Sequence, residues 1–327
     1  METGIRRIHQ RVGDLRRVFL KFSVITPLYN GARFIRKTLD SALAQTYRNF
    51  EIVLVNDESP DDVGSIVKDY IATHPEINFV YVEQKNKGLG GARNTAIRYS
   101  SGDIIAILDQ DDIWYPEKLE KVAGTYADDP DASIVCHRQY IRQNGKIIGI
   151  CADGSYEKDM HRKLLFSGNP LSTSATTFKK SVIEKVGYFS EDIKHLHFVE
   201  DYELWLRMAR QGFKFVFLPD IMGEYIKHDF NYSSASYKSH ELMCNSQIYV
   251  INLHYSKLAN KQLIDSYLIR RRRAELFFVT AQRIFFQSKH LFVTLKYLFK
   301  MFMSDPFYLF FRLRIFLSKK AGFNAKK

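Results

Sequence analysis

Cysteine and long apolar runs are both scarce in this sequence. The 327 residues include three cysteines, Cys136, Cys151 and Cys244, without paired spacing. That pattern argues against a disulfide framework and against a zinc site, and it indicates a reducing compartment. No stretch reaches the roughly 18 uncharged apolar residues of a membrane-spanning helix. The basic N-terminus also lacks an apolar run of signal-peptide length, so we expect a protein that is not secreted by that route.

Acidic residues are scarce at both ends of the chain. The formal net charge is +12, and it is unevenly spread. Residues 1–21 contain six basic and two acidic side chains. Residues 22–256 contain 26 basic and 31 acidic side chains, and residues 257–327 contain 16 basic and three acidic ones. A mildly acidic body lacks the clustered Lys and Arg of a nucleic-acid groove, so no nucleic-acid partner is expected.

Short apolar runs alternate with helix-like stretches from Phe22 onwards. The apolar runs lie at 22–26, 50–56, 79–83 and 103–109. The helix-like stretches between them lie at 32–45, 61–73 and 90–99. This alternation is typical of βαβ units and a parallel sheet, whose buried strands read as nearly continuous apolar runs.

The remainder of the chain is less regular. Strands are predicted at 133–137 and 213–219, and a helix from Asp201 to about 211, as a mixed second half of the same domain. After Lys257 the composition changes, because 12 of the 25 Phe lie in the last 71 residues. We therefore predict a basic N-terminal segment over 1–21, an α/β domain over 22–245 and a helical extension over 246–327.

Polar residues follow three of the predicted strands. They are Thr26 to Asn30, Asn56 to Ser59, and Asp109 to Asp112. In an open parallel sheet, ligands bind outside the carboxyl ends of the strands, so these residues predict a binding site at one edge.

The acidic run Asp109-Gln110-Asp111-Asp112 is the most specific of the three. Alternate carboxylates at a strand end suit a hard divalent cation, Mg²⁺ or Mn²⁺, that holds a diphosphate. The alternative is that Asp109 or Asp112 caps a helix beginning near Pro116.

Two further motifs lie at predicted helix starts. The segment Asn86 to Asn94 contains Gly88 and Gly90, but Arg93 occupies the third glycine position of a dinucleotide fingerprint. Its amides, with Arg93, suit a phosphate or the ordering of a neighbouring loop. The pair Glu200 and Asp201 suits either catalysis or favourable interaction with the helix dipole.

Taken together, these residues resemble the family-2 glycosyltransferases, a group with the GT-A nucleotide-sugar-binding fold. The resemblance covers roughly residues 22–231. It rests on ordered motifs at 23–30, 41–47, 51–59, 86–94, 108–112, 177–181, 187–189 and 200–205. It implies a Rossmann-like, mostly parallel central sheet flanked by helices, followed here by the basic and aromatic helical extension.

The resemblance also implies a donor site. Asp57 matches the aspartate that hydrogen-bonds the nucleotide base, and Pro27, Tyr29 and Asn30 match the turn lining the nucleoside. Arg93 is assigned to the same site. Two positions depart from the family pattern: Asn56 replaces a frequent aspartate and Glu58 replaces a frequent glycine.

The remaining roles concern the diphosphate and the reaction. Asp109 and Asp111 match the Asp-x-Asp motif that holds the metal, and His228 lies where relatives place a basic or imidazole group near the diphosphate. Asp201 matches the catalytic base, and Glu200 shapes the acceptor side.

The implied reaction is an inverting transfer of one sugar, hexosyl or N-acetylhexosaminyl, from a nucleotide-sugar, with UDP as the default nucleotide and Mn²⁺ or Mg²⁺ as cofactor. The Gln-x-x-Arg-Trp motif of processive synthases is absent, which favours single transfer. A glycan acceptor, lipid-linked, in cell-surface polysaccharide synthesis is the expected partner.

The basic extension contains an amphipathic pattern. On a helical wheel Lys289, Lys296 and Lys300 lie opposite a row of apolar side chains, namely Leu291, Leu295, Leu298 and Phe302. This pattern and the aromatic stretch 307–317 favour an anionic membrane surface, with the protein cytoplasmic and peripheral on the inner face of the cytoplasmic membrane. The alternative is packing on the α/β domain or in a homodimer.

Two other function classes stay open at this point. A nucleotide-sugar pyrophosphorylase would need a basic glycine-rich loop near the N-terminus, which the sequence lacks. A non-catalytic or nucleic-acid-binding protein would use Arg270–Arg273, but the acidic positions 57, 109, 111 and 201 count against it.

Overall fold

The computed structural model describes residues 20–228 and 236–312. These residues form two compact units. The sheet unit contains the described residues of Met1–Leu164 together with Asn169–Glu191 and Glu200–His228. The helical unit contains Leu165–Gly168, Asp192–Val199 and the described residues of Asp229–Lys327. The boundary at 245 and 246 stays a prediction.

The first half of the sheet unit alternates strands and helices in chain order. Its elements are β1 (Phe22–Leu28), α1 (Ile35–Leu43), β2 (Phe50–Asp57), α2 (Val63–Ala72), β3 (Phe79–Gln84), α3 (Gly88–Tyr99) and β4 (Ile104–Ile107). Strands β1–β2, β2–β3 and β1–β4 pair in parallel, with Phe22 opposite Phe50 and Ile104. All seven residues of β1 are buried, as expected for a strand covered on both faces.

The second half is mixed in direction. Its elements are β5 (Ile113–Trp114), α4 (Lys118–Asp128), β6 (Ala132–Gln143), β7 (Lys146–Cys151), α5 (Met160–Ser167), β8 (Thr176–Lys179), α6 (Lys180–Val186), α7 (Glu200–Arg210) and β9 (Lys214–Lys227). Strand β6 runs parallel to β9, whereas β8 is antiparallel to both β4 and β6.

One sheet therefore joins the two halves. Its order is β3-β2-β1-β4-β8-β6-β9-β5, and β7 pairs with β6 alone among the described strands. The apolar core lies between this sheet and its helices, and includes Phe22, Leu54, Leu119 and Trp114. The carboxyl ends of β1, β2 and β4 lie at the same edge, which places the three polar segments together.

The helical unit contains α8 (Tyr237–Ser256), α9 (Leu263–Arg283) and α10 (Leu291–Ser304), with a π-helical turn at Ile284–Ser288. A capping box between Gln262 and Asp265 starts α9. Within residues 20–228 and 236–312, every helix falls short of the length and apolar character that a bilayer crossing requires. Residues 1–19 of the predicted basic segment 1–21, and residues 313–317 of the aromatic stretch, lie outside the described residues.

Candidate functional site

The turn after β1 forms one wall of the site. Pro27 is buried within β1 and pairs in register with Val55. Tyr29 and Asn30 follow and are exposed. Asn30 has a φ of 56°, a left-handed conformation that Asn tolerates well, and its N–H donates to Ser59 Oγ at 2.7 Å. The end of β2 thus fixes the turn predicted to line the nucleoside.

Asp57 ends β2 and is buried. Its Oδ1 accepts from Gln84 Nε2 at 2.6 Å and from the N–H of Lys87 at 2.9 Å. These bonds fix the direction of the carboxylate. The next residue, Glu58, has a φ of 58°, in the left-handed region that favours glycine. This conformation fits the glycine that the family resemblance implies here, and the Glu58 carboxylate accepts from Lys85 Nζ at 3.0 Å.

The acidic run after β4 folds into a turn in which the Asp112 N–H donates to the Asp109 carbonyl at 3.1 Å. Asp112 is buried and accepts from the Ile226 N–H at 3.0 Å, and its burial and the charges of Asp111 and Asp109 raise its pKa well above the usual value. The first helix after this turn is α4, whose N-cap is Glu117. The helix-cap alternative for Asp109 and Asp112 is therefore wrong.

Asp111 and His228 lie side by side. His228 Nε2 is 3.0 Å from Asp111 Oδ2, and the imidazole stacks on Phe34 with centroids 4.2 Å apart. Carboxylate and imidazole are both suitable ligands for Mn²⁺. Within the described part of the chain, no three His, Cys, Asp or Glu side chains converge as a metal site. An ion here would need diphosphate oxygens as further ligands, and the set Asp109, Asp111 and His228 stays a prediction.

Arg93 joins the acidic turn to α7. Its Nη2 lies 2.8 Å from Asp109 Oδ1, and its Nη1 lies 2.6 Å from Glu200 Oε1. The side chain is 1% exposed. Burial works against the guanidinium charge, but Asp109 and Glu200 outweigh it and raise the pKa of Arg93 above its ordinary value. The structure thus places Arg93 between two carboxylates, and its predicted phosphate contact stays a prediction.

Asp201 lies in the first turn of α7, beside Glu200. Its Oδ2 accepts from Thr173 Oγ1 at 3.0 Å, and its Oδ1 accepts from the Tyr202 N–H at 2.6 Å. Burial and the negative charge of Glu200 raise the pKa of Asp201 to about 6, although Arg93 acts in the opposite direction. A carboxylate with such a pKa is suited to accept a proton near neutral pH.

Several contributors to the site are not marked by the sequence motifs. Thr173 and Ser174 lie on a short 3-10 turn, Thr173–Ala175. Ser174 Oγ accepts from the Asp109 N–H at 3.0 Å, and its carbonyl accepts from Trp114 Nε1 at 2.7 Å and from Lys118 Nζ at 3.2 Å. The only sequence signal is the hydroxyl-rich run 172–174 before a β-branched strand.

Lys118 itself is fully buried, with its Nζ 3.1 Å from the centroid of the Trp114 ring. Burial lowers the pKa of Lys118 well below its usual value. Through its hydrogen bond to the Ser174 carbonyl, the buried Lys118 stabilises the turn that carries Thr173 and Ser174.

Comparison with known proteins identifies the chain's relatives. The family profile described as Glycosyl transferase family 2 matches residues 23–187. An uncharacterized glycosyltransferase of Rickettsia prowazekii is 36% identical over 196 residues, which are 58% of this chain and 58% of the relative. The amylovoran biosynthesis glycosyltransferase AmsB of Erwinia amylovora is 28% identical over 222 residues, 63% of this chain and 69% of the relative. The chain thus matches 58% of the length of the Rickettsia relative.

Two solved structures have the same fold. S. aureus TarS 1-349 in complex with UDP aligns with a TM-score of 0.54 and 19% identity, over 88% of this chain and 81% of that one. The mannosyltransferase PcManGT from Pyrobaculum calidifontis, in complex with GDP-Man and Mn²⁺, aligns with a TM-score of 0.55 and 18% identity, over 94% and 97%. The predicted fold class, with its helical extension, is confirmed.

Proposed function

The chain belongs to glycosyl transferase family 2, and from that premise we propose that it moves one sugar from a nucleotide-diphospho-sugar to a hydroxyl of a glycan acceptor, with inversion. The observation that supports this most directly is the ion-pair chain Asp109–Arg93–Glu200, with distances of 2.8 and 2.6 Å. It holds the acidic turn, which suits a diphosphate, next to Asp201, which suits a base.

The donor is a nucleotide-sugar, with UDP as the first choice because the related TarS structure contains UDP. Pro27, Tyr29, Asn30 and Asp57 line the nucleoside in this proposal. Asp111 and His228 would hold Mn²⁺ or Mg²⁺, as their adjacent carboxylate and imidazole suit such an ion. When bound, the ion offsets the charge that develops on the departing diphosphate.

Asp201 acts as the general base in this proposal. Its carboxylate takes the proton of the acceptor hydroxyl while that oxygen attacks the anomeric carbon from the face opposite the diphosphate. Thr173 and the Tyr202 N–H hold the carboxylate in place. Glu200, paired with Arg93, shapes the acceptor side.

The acceptor is a lipid-linked glycan of a cell-surface polysaccharide. AmsB, named for amylovoran biosynthesis, is a relative over 63% of this chain. A lipid-linked acceptor requires an enzyme at a membrane, so we place the protein in the cytoplasm, peripheral on the inner face of the membrane. The excess of positive charge in residues 257–327 suits anionic lipid there.

A screen of UDP- and GDP-sugars tests the proposed activity, with nucleotide release measured with and without Mn²⁺. The wild type should release nucleotide from one donor class in a metal-dependent way. Asp201→Asn should lower the turnover by about 10²–10⁴-fold, since it cannot accept the proton, while donor binding measured by calorimetry stays within about twofold.

The surface variant Asp220→Asn is the matched control, because Asp220 is an exposed partner of Lys121 and should leave turnover unchanged. Near-normal turnover in Asp201→Asn would remove that residue as the base. Failure of the wild type with every donor class would remove the proposed function itself.

A further inference from the structure

The helix α10 buries one face and exposes the other. Thr294, Tyr297 and Met301 are buried, as is Tyr308 beyond its end. The opposite face is apolar and exposed. We call it the aromatic face, and we include in it two exposed residues just beyond the helix. Its residues are Leu291, Phe292, Leu295, Phe299, Phe302 and Met303 on α10, and Phe307 and Phe310 beyond its end.

The aromatic face is large for a solvent-exposed surface. Phe292 is 89% exposed, Phe299 is 65% exposed and Phe307 is 73% exposed. Phe292, Leu295, Phe299 and Phe302 recur at spacings of three and four, which places them in one stripe along the helix. Contiguous exposed apolar surface of this kind marks an interaction site. If α10 only packed against the rest of the protein, its apolar residues would be buried. Those of the aromatic face are exposed instead.

The charges beside the aromatic face are nearly all positive. Lys296 and Lys300 lie along one edge of the stripe, not opposite it as the sequence pattern predicted. Lys296 contacts Glu241 at 3.2 Å, and Lys300 lies over the rings of Tyr297 and Phe277. The one acidic residue of the described stretch 289–312 is Asp305, and it is buried. A second copy that docks by the same face would add further lysines and no exposed acidic side chain from 289–312, because the two paired faces are identical. Anionic lipid headgroups complement them instead.

We propose that the aromatic face is the surface by which the protein docks on an anionic lipid bilayer. The Phe rings enter the interfacial region, and Lys296 and Lys300 meet headgroup phosphates. This inference rests on the proposed transfer to a lipid-linked acceptor, but it assigns the contact to one face of one helix rather than to the net charge of the tail.

Flotation of the full-length chain with vesicles tests this assignment. Wild type should float with phosphatidylglycerol-containing vesicles and much less with pure phosphatidylcholine. The double variant Phe299→Ser/Phe302→Ser should lose at least about tenfold in vesicle affinity, because two buried rings are removed from the interface. The matched control is Ile147→Ser/Ile148→Ser, since both isoleucines are about half exposed on β7 in the other unit and should leave flotation unchanged.

Undiminished flotation of Phe299→Ser/Phe302→Ser would overturn the assignment. So would a wild-type dimer in sedimentation that this double variant converts to a monomer, because a second copy would then cover the face. Donor hydrolysis in solution should be unchanged in the double variant. Loss of vesicle binding therefore tests the surface, whereas absence of hydrolysis in wild type tests the proposed function.

A separate observation concerns Gln110, the middle residue of the Asp-x-Asp motif. Its Nε2 donates to the Tyr29 carbonyl at 2.7 Å, and its Oε1 accepts from the Tyr29 N–H at 3.0 Å. Its own carbonyl accepts from Thr38 Oγ1 at 2.8 Å. A Cβ on Gly31 would lie well inside the contact distance of Gln110 Oε1. The side-chain amide thus makes the same pair of hydrogen bonds to the Tyr29 backbone that a paired β-strand would make.

We infer that Gln110 is a positioning residue that fixes the nucleoside turn against the diphosphate turn. Tyr29 and Asn30 belong to the first, and Asp109 and Asp111 belong to the second. The amide joins the two turns directly, through its two hydrogen bonds to the backbone of Tyr29. The glycine at position 31 leaves the space that this amide fills.

Calorimetric binding of UDP, with and without Mn²⁺, tests this role. Gln110→Ala should weaken UDP binding about five- to tenfold, and should raise the donor KM with kcat within about twofold. Gln110→Glu keeps the shape but cannot donate to the Tyr29 carbonyl, so it should lose as much. Gln45→Ala is the matched control, because Gln45 makes a similar pair of backbone bonds, to the Tyr115 carbonyl and the Leu119 N–H, away from this turn. It should lower thermal stability but leave UDP affinity unchanged.

A double-mutant cycle separates positioning from general loosening. Gly31→Ala should displace the Gln110 amide and mimic Gln110→Ala, and the double variant should then bind UDP no worse than either single variant. Independent, multiplying losses would overturn the inference, as would wild-type affinity in Gln110→Ala. If Gly31→Ala does not fold, Gln110→Ala and Gln110→Glu decide the matter.

Discussion

At the scale of single residues, the surroundings of Asp201 determine how the proposed base works. Burial and Glu200 push its pKa up to about 6, while Arg93 and the Thr173 hydroxyl favour the charged form. The carboxylate is therefore mostly ionised at neutral pH and still basic enough to take a proton. The position of Asp201 at a helix start was predictable from sequence. Its pKa was not, because Arg93 and Thr173 come from distant parts of the chain.

The pH dependence of turnover follows from that pKa. The ionised form of Asp201 is the active one, so kcat/KM should fall as the pH drops through about 6, approaching a tenfold loss per pH unit. Above this pH, the rate should be flat until another group titrates. Initial rates in a constant ionic-strength buffer series provide the measurement, and a profile that is flat well below the pKa would contradict the role of Asp201.

The same pKa has a consequence for stability. Because the folded-state pKa of Asp201 is raised above the ordinary aspartate value, its ionised form opposes folding. This unfavourable effect grows as the pH rises from about 4 to about 6 and is constant above that. Asp201→Asn should therefore increase the free energy of unfolding near pH 7 by about 2–3 kcal/mol, and this gain should vanish below about pH 4. Urea unfolding at the two pH values measures it. An equal effect at both would show that the charge is not the cause.

At the scale of elements, the sequence pattern located the strands that are buried and continuous. Strands β1, β2 and β3 lie within a residue or two of their predicted bounds. Strand β5 was not predicted, because a strand of two residues is too short to show an alternating hydrophobic pattern. Strand β8 was not predicted, because its four residues are stabilised by pairing with β4 and β6, which are far away in sequence. β9 continues past Pro219 because its register with β6 shifts between Leu218 and Ile221, so the proline need not donate to the ladder.

The site was predictable to the same extent. The strand-end rule brought Asn30, Asp57 and Asp109 to one edge from sequence alone. The pairs that complete the site join residues more than 100 positions apart, namely Arg93 with Glu200 and Asp111 with His228. No period or spacing encodes such contacts. The resemblance to a family placed Asp111 and His228 near one diphosphate, but it did not predict the pair of Arg93 with Glu200.

The packing of α3 gives a prediction at this scale. A Cβ on Gly90 would lie 2.7 Å from the Ser190 carbonyl oxygen and 3.6 Å from Glu200 Cγ. Gly90→Ala should therefore shift α3 or the backbone before α7, costing about 1–3 kcal/mol of stability, and should lower turnover because Glu200 moves. Gly149→Ala, whose nearest neighbour is Ile141 Cδ1 at 3.6 Å, is the matched control. Thermal unfolding that ranks the two variants equally would contradict this account.

At the scale of the whole molecule, the excess positive charge is not all available to a partner. Arg272 Nη1 contacts Glu275 at 2.6 Å, and Arg273 Nε donates to Asn252 at 3.0 Å. Two members of the run Arg270–Arg273 are thus used within the helical unit. This weakens the alternative in which that run forms a nucleic-acid surface, since such a surface needs its cations free for phosphates.

Removal of the C-terminal extension gives the last prediction. The helical unit includes Asp192–Val199, where the His197 N–H donates to Ser246 Oγ at 3.0 Å and the His195 ring stacks on Tyr249 at 4.8 Å. Truncation after residue 245 should lower the thermal midpoint and broaden the transition, because these partners are lost. Ser246→Ala should cost more than Ser256→Ala, whose hydroxyl bonds only within its own helix. A truncated chain that unfolds like wild type would contradict this prediction.

The interleaving of the two units also bears on synthesis at the ribosome. Residues 165–168 and 192–199 emerge well before the helices at 237–304 with which they form one unit. At about 5–20 residues per second, the delay lasts on the order of several seconds. During that interval the sheet unit, whose last residue is 228, has been synthesised and can fold. The two short segments, in contrast, lack the helices against which they pack. The nascent chain is then most exposed to chaperones and to aggregation, so slow translation beyond residue 228 would prolong its vulnerable state.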